Sequence, residues 1–244
     1  MALQNRRYTA KNMRRGEYTH LNHVHITENM TVGRLFVAGD LTVDGDLSVD
    51  TIFCLGRLTV GGGFAANYAH LGACMEVAGA VEVDCLSIGH PDGVIARLFS
   101  GIQDIGDASA QMWKGVHRDV INNYRRLVNI YQPGVAPALT APSLVSEDVY
   151  VKGSAWVSGA IETGYIEVTV NLQAGQIDSE TSVRAGGILA CTGDMTVGEE
   201  CRSQHLICGG HLRVDALIYG TSDVTGSVEA ASIRPGGELL LPAA

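Results

Sequence analysis

Residues 33–50 read Gly-Arg-Leu-Phe-Val-Ala, Gly-Asp-Leu-Thr-Val-Asp and Gly-Asp-Leu-Ser-Val-Asp, three hexads without a gap. Gly33, Gly39 and Gly45 hold one position, Leu35, Leu41 and Leu47 a second, and Val37, Val43 and Val49 a third. Leu and Val stand two residues apart, so in an extended chain they point to one face. The Gly, with Asp40 and Asp46 beside it, suits a corner where the chain turns. Each hexad is too short to bury its own apolar side. Three short strands with corners between them make one turn of a coil of roughly 18 residues, and turns stack about 4.8 Å apart. An antiparallel sandwich would need a hairpin every 8–12 residues or so, and the hexads are too closely spaced for that.

The cassette returns in looser form. Leu58-Thr-Val60, Met75-Glu-Val77, Val81-Glu-Val83 and Leu86-Ser-Ile88 follow in the first half. Val149-Tyr-Val151, the run Ile166–Leu172, Gly193–Gly198, Gly210–Asp215 and Leu239–Leu241 follow in the second. The expected fold is therefore all-β, a parallel β-helix (β-solenoid) in two repeat blocks, 21–106 and 144–244.

Composition agrees. The chain has 244 residues with 30 Gly and only 6% aromatics. Its 46% hydrophobic content excludes general disorder, and no apolar run approaches the roughly 18–20 residues of a membrane span. The formal net charge is −9, which argues against broad nucleic-acid binding. The charge is segmented: residues 1–20 form a basic arm of +4, 21–106 carry −7, 107–131 carry +2 and 132–244 carry −8. The arm could meet an anionic membrane. No apolar stretch of signal-peptide length follows it, so a cytoplasmic, optionally membrane-associated location is expected. The six cysteines include no C-x-x-C pair and read as small buried apolar residues.

Residues 107–131 interrupt the repeat. Trp113, Val116, Val120, Tyr124, Leu127 and Tyr131 recur at helical spacing, so an amphipathic α-helical insertion is expected there, with a protein partner as one use of its face. Residues 132–143, with Pro133, Pro137 and Pro142, read as a linker.

Chemistry-bearing residues are few. His20, His23 and His25 form H-x2-H-x-H, and Cys201, His205, Cys208 and His211 form a looser Cys/His set. Neither has the tight knuckle of a zinc site, so no metal, catalytic or cofactor-binding residue is assigned and no cofactor is expected. The triple Gly61-Gly62-Gly63 is not a phosphate loop, because no G-K-[ST] follows it. Asp44 and Asp46 read as solvated corner acids.

The run G-D-L-T-V-D-G-D-L-S-V-D, with the later G-D-M-T-V-G and G-G-H-L-R-V-D, resembles the bactofilins, bacterial polymer-forming cytoskeletal proteins. The resemblance implies a right-handed β-helix that stacks end to end without nucleotide, and it brings no catalytic residues. The expected function is a non-enzymatic scaffold that self-associates through its β-helix ends. Two alternatives remain. One is a monomeric acidic binding or inhibitor (immunity-type) protein. The other is a hexapeptide-repeat acyltransferase with His70, His90, His205 or His211 as base.

Overall fold

The computed structural model describes residues 6–8, 17–20, 23–89, 138–235 and 239–240. Every regular element among them is a strand. The strands wind into a parallel β-solenoid of about ten turns. Three walls recur in each turn. In one turn, Leu41–Val43 forms the first wall, and the single strand Leu47–Cys54 bends to supply the second and third.

In the first half, Met30, Leu47, Phe64 and Val81 stand in one column of parallel partners, one per turn. Each turn is thus one residue shorter than three full hexads. The missing residue is lost where the second wall meets the third. Leu47 and Val49 are buried, Asp50 is exposed and Thr51 half-buried, and Ile52 and Cys54 are buried again. The alternation changes phase inside one strand, so this bend needs no separate corner segment.

The other corners have their own chemistry. The Gly63 amide donates to Asp46 Oδ1 one turn below at 2.8 Å, and the Asp46 amide donates to Asn29 Oδ1 at 2.9 Å. Asp40, Asn171 and Asp194 accept in the same way from Arg57, Ile188 and His211. Each carboxylate or amide oxygen satisfies a corner N–H that no strand pairs. The space for it comes from glycine. A Cβ on Gly62 would lie 2.2 Å from Asp46 Oδ1. The Gly-Asp dipeptide is therefore a stacking unit, in which Asp reaches up and the next turn's Gly leaves room.

The interior is a set of continuous apolar columns. Leu35, Ile52, Ala69, Leu86, Val149, Ile166, Val183, Cys201 and Leu217 succeed one another on the third wall, none more than 1% exposed. Stacking like on like buries apolar surface at every level and pairs the backbone above and below.

Two features add to or differ from the sequence expectation. The two expected repeat blocks stack as one coil, a relation that their sequences leave open. Val81–Ile88 pairs in parallel with Leu144–Val151, and Met75–Val77 with Leu139–Ala141. The chain leaves the coil after Gly89 and re-enters at Ala138, where the Met75 amide donates to the Ala138 carbonyl at 2.8 Å. Gly89 has φ of 76°, a left-handed conformation that glycine adopts without strain. Residues 138–143, expected within the linker, already belong to the coil: Leu139–Ala141 is a strand, and the Ser143 carbonyl accepts from the Val81 amide.

The expected α-helical insertion is also corrected: no helix occurs among the described residues, and residues 107–131 lie outside them. The helical reading rests on apolar spacing, with Asp107 or Ser109 as a start cap and Gln132-Pro133-Gly134 as a stop. That spacing reports an apolar face and does not exclude other conformations.

Candidate functional site

The sequence-selected side chains are held apart by the coil. His23 and His25 sit near its start, each beside a carboxylate from the next turn. His23 Nδ1 lies 3.0 Å from Asp40 Oδ2, and His25 Nε2 lies 2.7 Å from Asp44 Oδ1. His20 ends the strand Glu17–His20. Cys201 and Cys208 point into the core from the third and first walls. His205 pairs outside with Thr221, and His211 Nδ1 lies 2.9 Å from Ser227 Oγ. The Cys/His set therefore divides between interior and surface. Among the described residues, no group of three His, Cys, Asp or Glu could hold a metal. Of the acyltransferase bases, His70 is 4% exposed and stacks on Phe53, with centroids 5.1 Å apart, while His90 lies outside the described residues.

The interior thiols are inert for a physical reason. Burial disfavours the thiolate and pushes Cys54 and Cys201 up to about 12 and Cys191 to about 11. At pH 8 a thiol of pKa about 12 is ionised in roughly one molecule in ten thousand. Labelling of the native protein with a thiol-reactive probe, read by peptide mass spectrometry, is expected to leave Cys54 and Cys201 unmodified until denaturant is added. Modification of either at the rate seen in the unfolded chain contradicts this placement.

Three surfaces have functional character that the sequence reading did not isolate. The first is a groove of about 860 Å³ along the bend between the second and third walls. Asp50, Glu82, Asp84, Glu147, Glu162, Asp178 and Glu180 line it, and its described lining contains no Lys or Arg. Small residues such as Ala65, Ser146 and Gly164 hollow it out. Glu162 and Asp178 are direct ladder partners, an arrangement that like charges disfavour. The signal in sequence is an acid at the bend, as in Asp50, Asp84, Glu147 and Glu180, or two residues before it, as in Glu82, Glu162 and Asp178, with Asn67 and Gly164 at the bend of the other two turns. It becomes visible only once the true length of the turn is known.

The second surface is the last complete turn of the coil. Ile233 succeeds Leu217 in the third-wall core column. It is 41% exposed, whereas the earlier members are at most 1% exposed. Val228 and Ala230 of the same turn are only partly buried against the core. The core thus opens at this end. The strand Leu239–Leu240 pairs with Ser222 and Asp223 on the first wall, so the coil continues there by one further wall.

The third surface is on the first wall of the second half, where Trp156, Ile188 and Ile207 are 38–51% exposed, with Val170 in the corner that leads into this wall 43% exposed.

Among the described residues no helix is long and apolar enough to cross a membrane. No family model, curated protein or solved structure matches the chain.

Proposed function

We propose that this chain is a non-enzymatic scaffold that associates with further copies of itself through the ends of its coil, in the manner implied by the resemblance to bactofilins. The observation that carries the reading is the exposed Ile233 in a column whose earlier members are buried. A terminal turn of a parallel coil also carries backbone groups aimed along the axis, and these template another strand. A second copy supplies both missing partners, an apolar surface and a strand edge. The contact is heterologous, head to tail, so it propagates into a rod unless something blocks it. The basic residues expected to form an arm begin in the coil itself, with Arg6–Tyr8 paired to Val24–Ile26 and Glu17–His20 to Arg34–Val37, and this basic start of the coil would add an anionic membrane surface as a docking place.

Sedimentation velocity and negative-stain imaging across salt and protein concentration, without nucleotide, test this. Rods built from units of roughly 48 Å, ten turns at strand spacing, are expected. A uniform small particle at every concentration contradicts the proposal.

The acidic groove favours a second reading, in which the side of the coil holds a basic polypeptide. Its seven carboxylates without a described lining cation would attract a cationic segment in a salt-dependent way. Binding of an oligolysine peptide that weakens steeply with added salt is expected on this reading, and no binding at low salt contradicts it.

A further inference from the structure

Two of the interior thiols stand on one another. Cys191 and Cys208 are direct ladder partners on the first wall, and each is 1% exposed. Their column is aliphatic on either side, with Val157 and Ala174 before them and Val224 after. The other buried thiols have no such neighbour in register. Cys54 lies between Val37 and Leu71, and Cys201 between Val183 and Leu217.

The two sulfurs repeat one set of contacts, shifted by one turn. Cys191 Sγ lies 3.5 Å from Gly175 O, 3.5 Å from Gly193 O and 3.4 Å from Asp194 O. Cys208 Sγ lies 3.5 Å from Gly193 O, 3.6 Å from Gly210 O and 3.7 Å from His211 O. Equivalent contacts mean equivalent rotamers, so the sulfurs are separated by the rise of one turn, about 4.8 Å. A disulfide requires about 2.05 Å, and the backbone ladders hold the turns apart. Two metal–thiolate bonds of about 2.3 Å, the value for zinc, span about 4.6 Å. The spacing therefore suits an ion between the sulfurs better than a bond between them. Gly193 O is equidistant from both sulfurs, so it also borders the midpoint.

The corner beside the pair is built of glycine. Gly175, Gly193 and Gly210 stack there: a Cβ on Gly193 would lie 2.9 Å from Gly175 O, and one on Gly210 2.7 Å from Gly193 C. Thr192 and Gly209 at the same corner are exposed. The sulfurs thus approach solvent where the wall is mostly backbone. Burial pushes the Cys191 thiol up to about 11 and raises that of Cys208, which slows reagents that need the free thiolate. A metal ion that binds a thiol displaces its proton outright.

We propose that Cys191 and Cys208 form a binding site for one soft monovalent metal ion, copper(I) in kind, clamped between neighbouring turns of the coil. Thiolates select copper(I) and zinc. Zinc takes three or four protein ligands, and among the described residues no group of three His, Cys, Asp or Glu could supply them. Copper(I) is satisfied by two sulfurs in line. On uptake two S–H bonds break, two sulfur–metal bonds form and two protons pass to water, with no electron transferred. The proposal does not depend on end-to-end association, because it is read on single chains.

Titration of the reduced full-length protein with copper(I), without oxygen and against a competing copper(I) chelator, tests this. One ion per chain is expected to be retained, with two sulfur neighbours by X-ray absorption. Cys191→Val and Cys208→Val each insert a residue that this column carries elsewhere, so both should fold, and each should lose the retained ion. Cys74→Ala/Cys85→Ala removes the two partly exposed thiols and should leave retention unchanged. Equal retention by the parent and by Cys191→Val overturns the proposal. So does a Cys191–Cys208 disulfide formed quantitatively by mild oxidation of the folded protein, because it needs sulfurs free to close on one another.

Discussion

Ile233→Asp is expected to abolish rod formation while leaving the coil folded. Ile233 occupies the end of a core column and is 41% exposed in the single chain. In an end-to-end contact it would pass from water to the buried junction. Aspartate there removes the apolar surface and places an unpaired carboxylate in that junction, at a cost of several kcal/mol. Each 1.4 kcal/mol or so is a factor of ten in affinity, so association should weaken by about a hundredfold or more. The fold loses little, because the side chain is already partly wet, and substitutions at such places usually cost below about 1 kcal/mol. Sedimentation of the variant beside the parent, with melting curves on the same samples, reads both effects. Rods of parent length from Ile233→Asp would remove this end from the contact. A collapse of the melting temperature would mean that the last turn is part of the stability core.

Phe64→Ala is expected to have the largest effect on stability. Phe64 is 2% exposed and stacks between Leu47 and Val81 in the second-wall column. Deleting a buried Phe side chain costs about 3–5 kcal/mol, through lost transfer energy and the cavity left behind. In a stacked coil the surrounding turns are pinned by their own backbone ladders, so the cavity closes poorly. For a chain of this size 1 kcal/mol shifts the melting temperature by about 2–4 °C, which gives a fall of roughly 6–20 °C. Tyr68→Ala is the control, since Tyr68 lies on the same strand, Phe64–Leu71, but is 49% exposed. Equal shifts for the two variants would contradict the assignment of inward and outward positions.

The wall pattern is legible from one stretch. Leu41 and Val43, then Leu47 and Val49, point inward as the hexads require, because side-chain period and burial are locked together in a strand. The Gly-Asp corners are legible as turns. Their further role is not, since the contact between Asp46 and the Gly62-Gly63 corner spans one full turn and depends on the turn length. The hexads alone overstate that length by one, because the bend at Asp50–Thr51 changes phase within a strand and leaves no glycine as a marker.

Continuity across the insertion is hidden for a related reason. Nothing local in Val81–Ile88 shows that its partner is Leu144–Val151, on the far side of residues 90–137. The Cys201/His205/Cys208/His211 set is a grouping by sequence spacing. The coil sends its thiols inward and its imidazoles outward, because alternation along a strand decides direction and sequence proximity does not. The open end at Ile233 is legible only in kind, through the apolar Leu239–Leu241 run. Which core residue is left uncovered follows from register alone.

Cryo-electron microscopy of the assemblies tests the central claim most directly, namely that one continuous coil presents a core-bearing end to the next copy. The expected result is strands perpendicular to the rod axis, a spacing of about 4.8 Å unbroken across the junction between copies, and Ile233 buried at that junction. Copies joined through their side walls, with the turn at Ile233 still open to solvent, would contradict it.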